Sequence, residues 1–178
     1  MDIKVHILHD NQRYERLEPL LKELESQGIT NYEIIQPEVD VKKFPYENIN
    51  AAHKSIVRMA KEQGLKECLI FEDDILFTSP NAWKYFLENK PPEYDLYLWG
   101  SYIAPLSNNR ICGFQAYFIS EKFYDRYLSV GDKLHIDTAM DDLKGDYYFC
   151  YPFPILQRAG LSANNTGGIV NYNAILKE

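Results

Sequence analysis

An α/β domain with an open, mostly parallel sheet flanked by helices is what this sequence predicts, and three observations predict it. Apolar runs of strand length alternate along the chain with segments whose apolar residues repeat at helical spacing. Glycine, proline and asparagine mark the boundaries between them. The composition is that of a packed protein, 46% hydrophobic and 25% charged, which excludes disorder. A chain of 178 residues is then expected to form a single domain, 1–178, with a core of its own.

The elements follow in order. Ile3 to Leu8 reads as a first strand, closed by the turn-forming Asp10-Asn11. Leu17, Leu20, Leu21 and Leu24 share a helical face that Gly28 stops. Pro19 inside that pattern predicts either a helix starting near it or an offset first turn. Tyr32 to Ile35 is a short strand, and 36–47, with two prolines, a loop. Asn50 is placed as the cap of a helix carrying Ala52, Ile56, Met59 and Ala60 on one face, ended by Gly64. The next apolar run, Cys68 to Phe71, is a buried strand. Ser79-Pro80 opens a helix with Ala82, Trp83, Phe86 and Leu87 facing inward, and Pro91-Pro92 closes it. Leu96 to Trp99 and Ala116 to Ile119 are strands, with a loop at Asn108, Asn109 and Gly113 between them. Ser120 caps a helix bearing Phe123, Tyr124, Tyr127 and Leu128; Thr138 to Leu143 is a short helix, and Tyr147 to Cys150 the last strand.

The strand at Cys68–Phe71 ends in Glu72-Asp73-Asp74 and is followed by Ile75-Leu76-Phe77. Three adjacent carboxylates cannot lie unpaired in an apolar core, so they are expected near solvent at a strand end, paired with cations or holding a metal. In open α/β sheets ligands bind beyond the carboxyl ends of the strands. Carboxylate oxygens suit Mg²⁺ or Mn²⁺, and such an ion holds a diphosphate. The aspartyl phosphatases also place an acid after an apolar strand, but they need two aspartates one residue apart. Here those positions hold Glu72 and Asp74, or Asp73 and Ile75, and the pattern fails. The acidic-x-acidic form of nucleotide-sugar transferases fits Glu72-Asp73-Asp74.

Charge and cysteine content narrow the partners. A net charge of −7 argues against nucleic acid, and a divalent cation reconciles an acidic protein with a phosphorylated ligand. Cys68, Cys112 and Cys150 have no metal-type spacing and read as reduced thiols. No apolar run reaches membrane-spanning length. Without a signal-peptide pattern at Met1-Asp2-Ile3-Lys4, the expected location is cytoplasmic and the Asn164-Asn165-Thr166 sequon unused.

Longer stretches resemble the family 25 glycosyltransferases, the lipooligosaccharide galactosyltransferase family. Asn50-Ala51-Ala52-His53 to Phe77 is similar to that family's small-residue-then-histidine helix followed by a strand ending Glu-Asp-Asp-Val. The opening strand with Arg13 and Arg16 resembles its first strand and arginine-bearing turn. Cys112 to Ser120 is similar to its glycine-x-x-alanine-tyrosine-x-x-serine segment. His135-Ile136-Asp137, then Tyr151 to Pro154, Gln157 and Ser162, resembles its C-terminal stretch. The resemblance covers nearly the whole chain, and the order of the motifs carries it. It implies a GT-A-like fold and an inverting transfer from a nucleotide sugar, with a UDP-sugar as donor, to a glycan or glycoconjugate acceptor in lipopolysaccharide biosynthesis. Two departures stand out. The chain is short beside that family, so acceptor-binding elements are expected to be reduced. No histidine follows His135, so a late histidine ligand to the metal is lacking.

On this reading Asp74 and Glu72 are metal ligands, for Mn²⁺ or Mg²⁺. Arg13, Arg16, His53, Glu72, Asp73 and Gln157 bind the nucleotide sugar. Asp137 is the base that deprotonates the acceptor. Each has a plainer alternative: Arg13 and Arg16 as surface cations, His53 as a hydrogen-bonded structural histidine, Asp137 as a cap for a helix starting at Thr138. Asp141 and Asp142 read as solvated helix positions, either of which would replace Asp137. Of the many aromatic residues, Tyr97, Trp99 and Tyr102 follow the triplet most closely in the sheet and are candidates for a sugar platform. A transferase fold that binds nucleotide or glycan without turnover, and a metal-dependent phosphoesterase, are the competing functions.

Overall fold

The computed structural model describes residues 3–99, 102–104, 110–161 and 169–170, with side chains described over 3–99 and 111–160. Asn108, Asn109, Ser162, the sequon at Asn164 and the Gly167-Gly168 pair lie outside the described residues.

The centre is a six-stranded sheet ordered β2-β1-β3-β8-β5-β9. Its strands are β1 (Val5–Leu8), β2 (Tyr32–Ile35), β3 (Glu67–Glu72), β5 (Leu96–Leu98), β8 (Ala116–Ser120) and β9 (Tyr147–Phe149). Three of its five pairings are parallel; β8 runs antiparallel to both β3 and β5. Alternation along the strands feeds two cores, as the period of two requires. Cys68 and Ile70 of β3 join Leu96, Leu98, Tyr117 and Ile119 on one face. That face is covered by α2 (Pro45–Glu62), α4 (Tyr124–Leu128) and α5 (Ile136–Leu143). Leu69 and Phe71 point the other way, with Tyr97, Trp99 and Phe118, against α1 (Leu17–Ser26) and α3 (Ala82–Glu88). Tyr97 and Trp99 are therefore core residues, 2% and 0% exposed, not a sugar platform. The alternation that puts Leu98 on one face puts them on the other.

Several local expectations move. Arg13 and Arg16 fall in a 3-10 segment, Asn11–Arg16, ahead of α1, so Pro19 sits in the first turn of the helix proper, where its missing N–H costs nothing. Helix α2 starts at Pro45, not beyond Asn50. Pro45 takes the first helical position, and Glu47 accepts the Phe44 backbone N–H at 2.7 Å. Asn50 lies inside the helix, fully buried, and its amide donates to the carbonyls of Gly131 and Leu134. Asn81, not Ser79, precedes α3. Gly28 and Gly64 adopt positive φ just past α1 and α2, as stops should.

Two features deliver the site. Because β8 is antiparallel to β3, its start lies beside the end of β3: Phe71 pairs with Ala116, and the Glu72 N–H donates to the Gln115 carbonyl at 2.7 Å. A long-range antiparallel pair, β4 (Ile75–Phe77) with β10 (Ile155–Gln157), sets Gln157 opposite Ile75, and the Arg158 N–H donates to the Asp74 carbonyl. β6 (Tyr102–Ala104) pairs with β7 (Arg110–Cys112) over α5. The short pair β11 (Gly160–Leu161) and β12 (Ile169–Val170) completes the described elements.

Candidate active site

A cavity of about 370 Å³ opens at the carboxyl end of β3 and is lined by Arg13, Arg16, His53, Glu72, Asp73, Asp74, Asp137 and Gln157. The residues read from the sequence as metal ligands, nucleotide-sugar contacts and base thus line one space, whereas Tyr97, Trp99, Asp141 and Asp142 do not. Pro37, Val39, Tyr46, Ile49 and Ile136 give it an apolar end. A cleft of that size with convergent polar groups is what a small-molecule ligand requires.

The triplet is less solvated than three adjacent acids would predict. Asp73 and Asp74 are 7% and 6% exposed, and only Glu72 is part-open. Each has its own partners, which is how burial is tolerated. Asp73 accepts from Arg16 at 2.8 Å through one oxygen and from His9 Nδ1 at 2.8 Å through the other. Asp74 Oδ2 accepts from Arg16 at 3.0 Å and from the Gln157 amide at 3.0 Å. Glu72 Oε1 accepts from His53 Nε2 at 3.0 Å. Since a carboxylate only accepts, His53 carries its proton on Nε2 toward Glu72, and its Nδ1 meets the Tyr117 hydroxyl at 2.9 Å. His53 is thus both a buried structural histidine and a wall of the cavity.

Asp73 and Asp74 share the Arg16 guanidinium with Glu72 close by, and the balance shows in Asp74. Burial, and next the charge of Glu72, push its carboxyl up to about 7 against the opposing pull of Arg16 and Gln157. Its Oδ1 is buried and has no hydrogen-bond partner among the described residues. That orphaned oxygen tests the fit of a metal. No three His, Cys, Asp or Glu side chains converge on a common point among the described residues, so an all-protein cage is absent there. A Mg²⁺-type ion needs only one or two carboxylates, with phosphate oxygens and water completing its shell. Asp74 Oδ1 and the second oxygen of Glu72 are donors of the kind that smaller demand calls for.

Asp137 sits in the first turn of α5, whose N-cap is His135, so it does not cap a helix at Thr138. Its two oxygens accept backbone N–H groups, from Thr138 at 2.7 Å and from Gly113 at 3.0 Å. Asp141, one turn on, accepts from the Ile111 N–H at 3.0 Å. These two acids tie α5 to the strand leading into β8, a role the sequence alone did not indicate. Sequence reasoning also missed His9, which lies beyond the end of β1 where period-two reasoning stops. It missed Tyr46, for which no local signal exists, and gave no role to His135, quoted in a motif; the two stack at 4.5 Å on the cavity lining. Gln115 lay inside a quoted motif, but nothing in that motif singled it out.

No protein-family model and no curated protein matches this chain. Solved structures do. A glycosyltransferase involved in glycosylation of the major capsid of PBCV-1 superposes with a TM-score of 0.56 at 13% identity, covering 90% of this chain and 94% of that one. The Drosophila β-1,4-galactosyltransferase 7, complexed with manganese, UDP-Gal and xylobiose, gives 0.56 at 11% identity over 99% and 80%. A mannosyltransferase from Pyrobaculum calidifontis, in complex with GDP-Man and Mn²⁺, gives 0.57 at 7% identity over 89% of this chain and 57% of that one. With its mixed, mostly parallel sheet and flanking helices, the chain has the fold of the GT-A glycosyltransferases.

Proposed function

We propose that this chain is a nucleotide-sugar-dependent glycosyltransferase of the family 25 type, passing a hexose with inversion from a UDP-sugar to a glycan or glycoconjugate acceptor such as a lipopolysaccharide precursor. One observation carries the reading. On a GT-A fold, the residues expected to hold diphosphate, metal and acceptor come from five separate segments and line one cavity. The manganese in two of the superposed enzymes supports Mn²⁺ or Mg²⁺ here. One binds UDP-Gal and the other GDP-Man, and the family resemblance favours uridine.

Asp74 and Glu72 would hold the ion, which supplies positive charge for the departing diphosphate. Arg13 and Arg16 add cationic charge on the β1 side of the cavity. Arg16 also keeps Asp73 and Asp74 side by side despite their repulsion. His53 and Gln157 fix Glu72 and Asp74 from opposite sides. Asp137 takes the proton of the attacking acceptor hydroxyl.

A thermal-shift series with UDP, UDP-Glc, UDP-Gal and GDP-Man, each with Mn²⁺ or with EDTA, tests this. Ligand at a hundredfold excess over Kd stabilises by about 2.7 kcal/mol, or roughly 5–10 °C for a domain of this size. Shifts should appear with Mn²⁺ and shrink with EDTA. Equal shifts in both remove the metal, and no shift with any nucleotide removes the function. One observation favours a binding protein without turnover: both Asp137 oxygens already accept backbone N–H groups. Nucleotide binding without hydrolysis or transfer would select that reading.

A further inference from the structure

We propose that the side-chain oxygen of Gln115 accepts a hydrogen bond from a hydroxyl of the transferred sugar, making Gln115 the residue that sets hexose specificity. The inference rests on the cavity being a donor site.

Gln115 lines that cavity and is 3% exposed. Its amide orientation is dictated by a chain of contacts. Asp74 Oδ2 accepts from Arg16, so it is an acceptor toward Gln157 as well. Gln157 must therefore present its NH₂ to Asp74, at 3.0 Å, and its oxygen to Gln115. Gln115 in turn gives its NH₂ to Gln157 Oε1 at 3.0 Å. A flip of either amide would set oxygen against oxygen or NH₂ against NH₂. What remains is Gln115 Oε1, buried and without a partner among the described residues. Native proteins seldom leave such an atom unpaired.

The backbone is shaped for this amide. Gly113 has φ +84°, and a Cβ there would lie 2.7 Å from both terminal atoms of the Gln115 side chain. Any other residue would be strained and would displace the amide. The amide is held toward Asp74 through Gln157, and two residues earlier the Gly113 N–H donates to Asp137, so Gln115 stands in the chain between the metal-side carboxylate and the acceptor-side one. The transferred sugar occupies that interval, because it lies between leaving diphosphate and attacking hydroxyl. Phosphate oxygens carry no proton to give; sugar hydroxyls do. Base and ribose lie on the far side of the diphosphate.

Titration calorimetry in Mn²⁺ tests the assignment with UDP, GDP, UDP-Glc, UDP-Gal and GDP-Man, on the unaltered protein and on Gln115→Met, which keeps length and removes the acceptor together with the NH₂ that Gln157 receives. The variant should bind the best nucleotide hexose about tenfold more weakly, the scale of one hydrogen bond to a buried group. The parent nucleoside diphosphate should stay within about twofold by the same reasoning, since it never touches Gln115. Monodeoxy analogues of that hexose give the second arm. On the unaltered protein one position should cost about tenfold, and Gln115→Met should be indifferent to that position. Equal losses for diphosphate and nucleotide hexose would make Gln115 a support for Asp74 and overturn the proposal. So would a deoxy series in which no position matters on the unaltered protein, a measurement that needs no variant to fold. If no nucleotide binds, the transferase reading falls and this inference with it, an outcome distinct from selective failure on the sugar.

Discussion

Asp74→Asn is expected to stabilise the ligand-free protein while weakening metal-assisted nucleotide binding. Asp73 and Asp74 both pair with the guanidinium of Arg16, Glu72 lies beside them, and Asp74 is 6% exposed. Its carboxyl is raised from 3.8 to about 7, by burial first and by Glu72 next. Holding it ionised in that buried place is therefore costly. Asparagine keeps an oxygen for Arg16 and Gln157, and Arg16 keeps Asp73; its NH₂ takes the place of the unpartnered Oδ1 and offsets part of the gain. Replacing a buried charge by a neutral group of like shape then gains about 1–2 kcal/mol, or roughly 2–8 °C in Tm. The sign fixes the pH window. Between 3.8 and about 7 the native carboxyl binds more proton than the unfolded one, so the parent loses stability as pH rises through that range. The variant's advantage should be full at pH 8 and shrink toward pH 5. Urea unfolding at the two pH values measures it. A variant less stable than its parent at pH 8, or an advantage independent of pH, would refute the charge argument. UDP affinity in Mn²⁺ should fall about tenfold or more, the scale of losing a charged contact.

Two further outcomes follow from the same geometry. Asp137→Asn should lower turnover by roughly 10²–10⁴-fold with UDP affinity nearly unchanged in calorimetry; turnover within a few-fold of the parent would rule out Asp137 as base. His6 is buried on β1, bonded to the Leu69 carbonyl, and burial holds its pKa below 6.5. Its contribution is present above pH 6.5 and lost as pH falls through the lowered value, so His6→Asn should flatten the acid limb of a stability–pH curve; an unchanged slope would count against it.

Much of this architecture is written locally. The β2 boundaries at Tyr32 and Ile35, the stops at Gly28 and Gly64 and the strand carrying Glu72 were legible because side-chain period and backbone freedom are properties of adjacent residues. The start of α2 was misread: Pro45 and Glu47 carry its signal, but they fell in the expected loop 36–47, and the asparagine at 50 offered a competing cap. A cap signal states a residue's preference, and burial against Gly131 and Leu134 overrode it.

The acidic triplet shows the division most plainly. Sequence by itself determined that three carboxylates end a buried strand, and that such a group needs cations. It could not determine which cations, nor that Asp73 and Asp74 would be buried. Arg16 and His9 reach them only because β1 and β3 are parallel neighbours whose carboxyl ends coincide. Gln157 reaches Asp74 only through the β4–β10 pairing. Gln115 stands beside Glu72 only because β8 runs antiparallel to β3. Strand order and direction are settled by the burial of two whole sheet faces at once, a sum over residues far apart in the chain. Local pattern could supply the chemical groups of this site; only the closed sheet could decide which atoms meet.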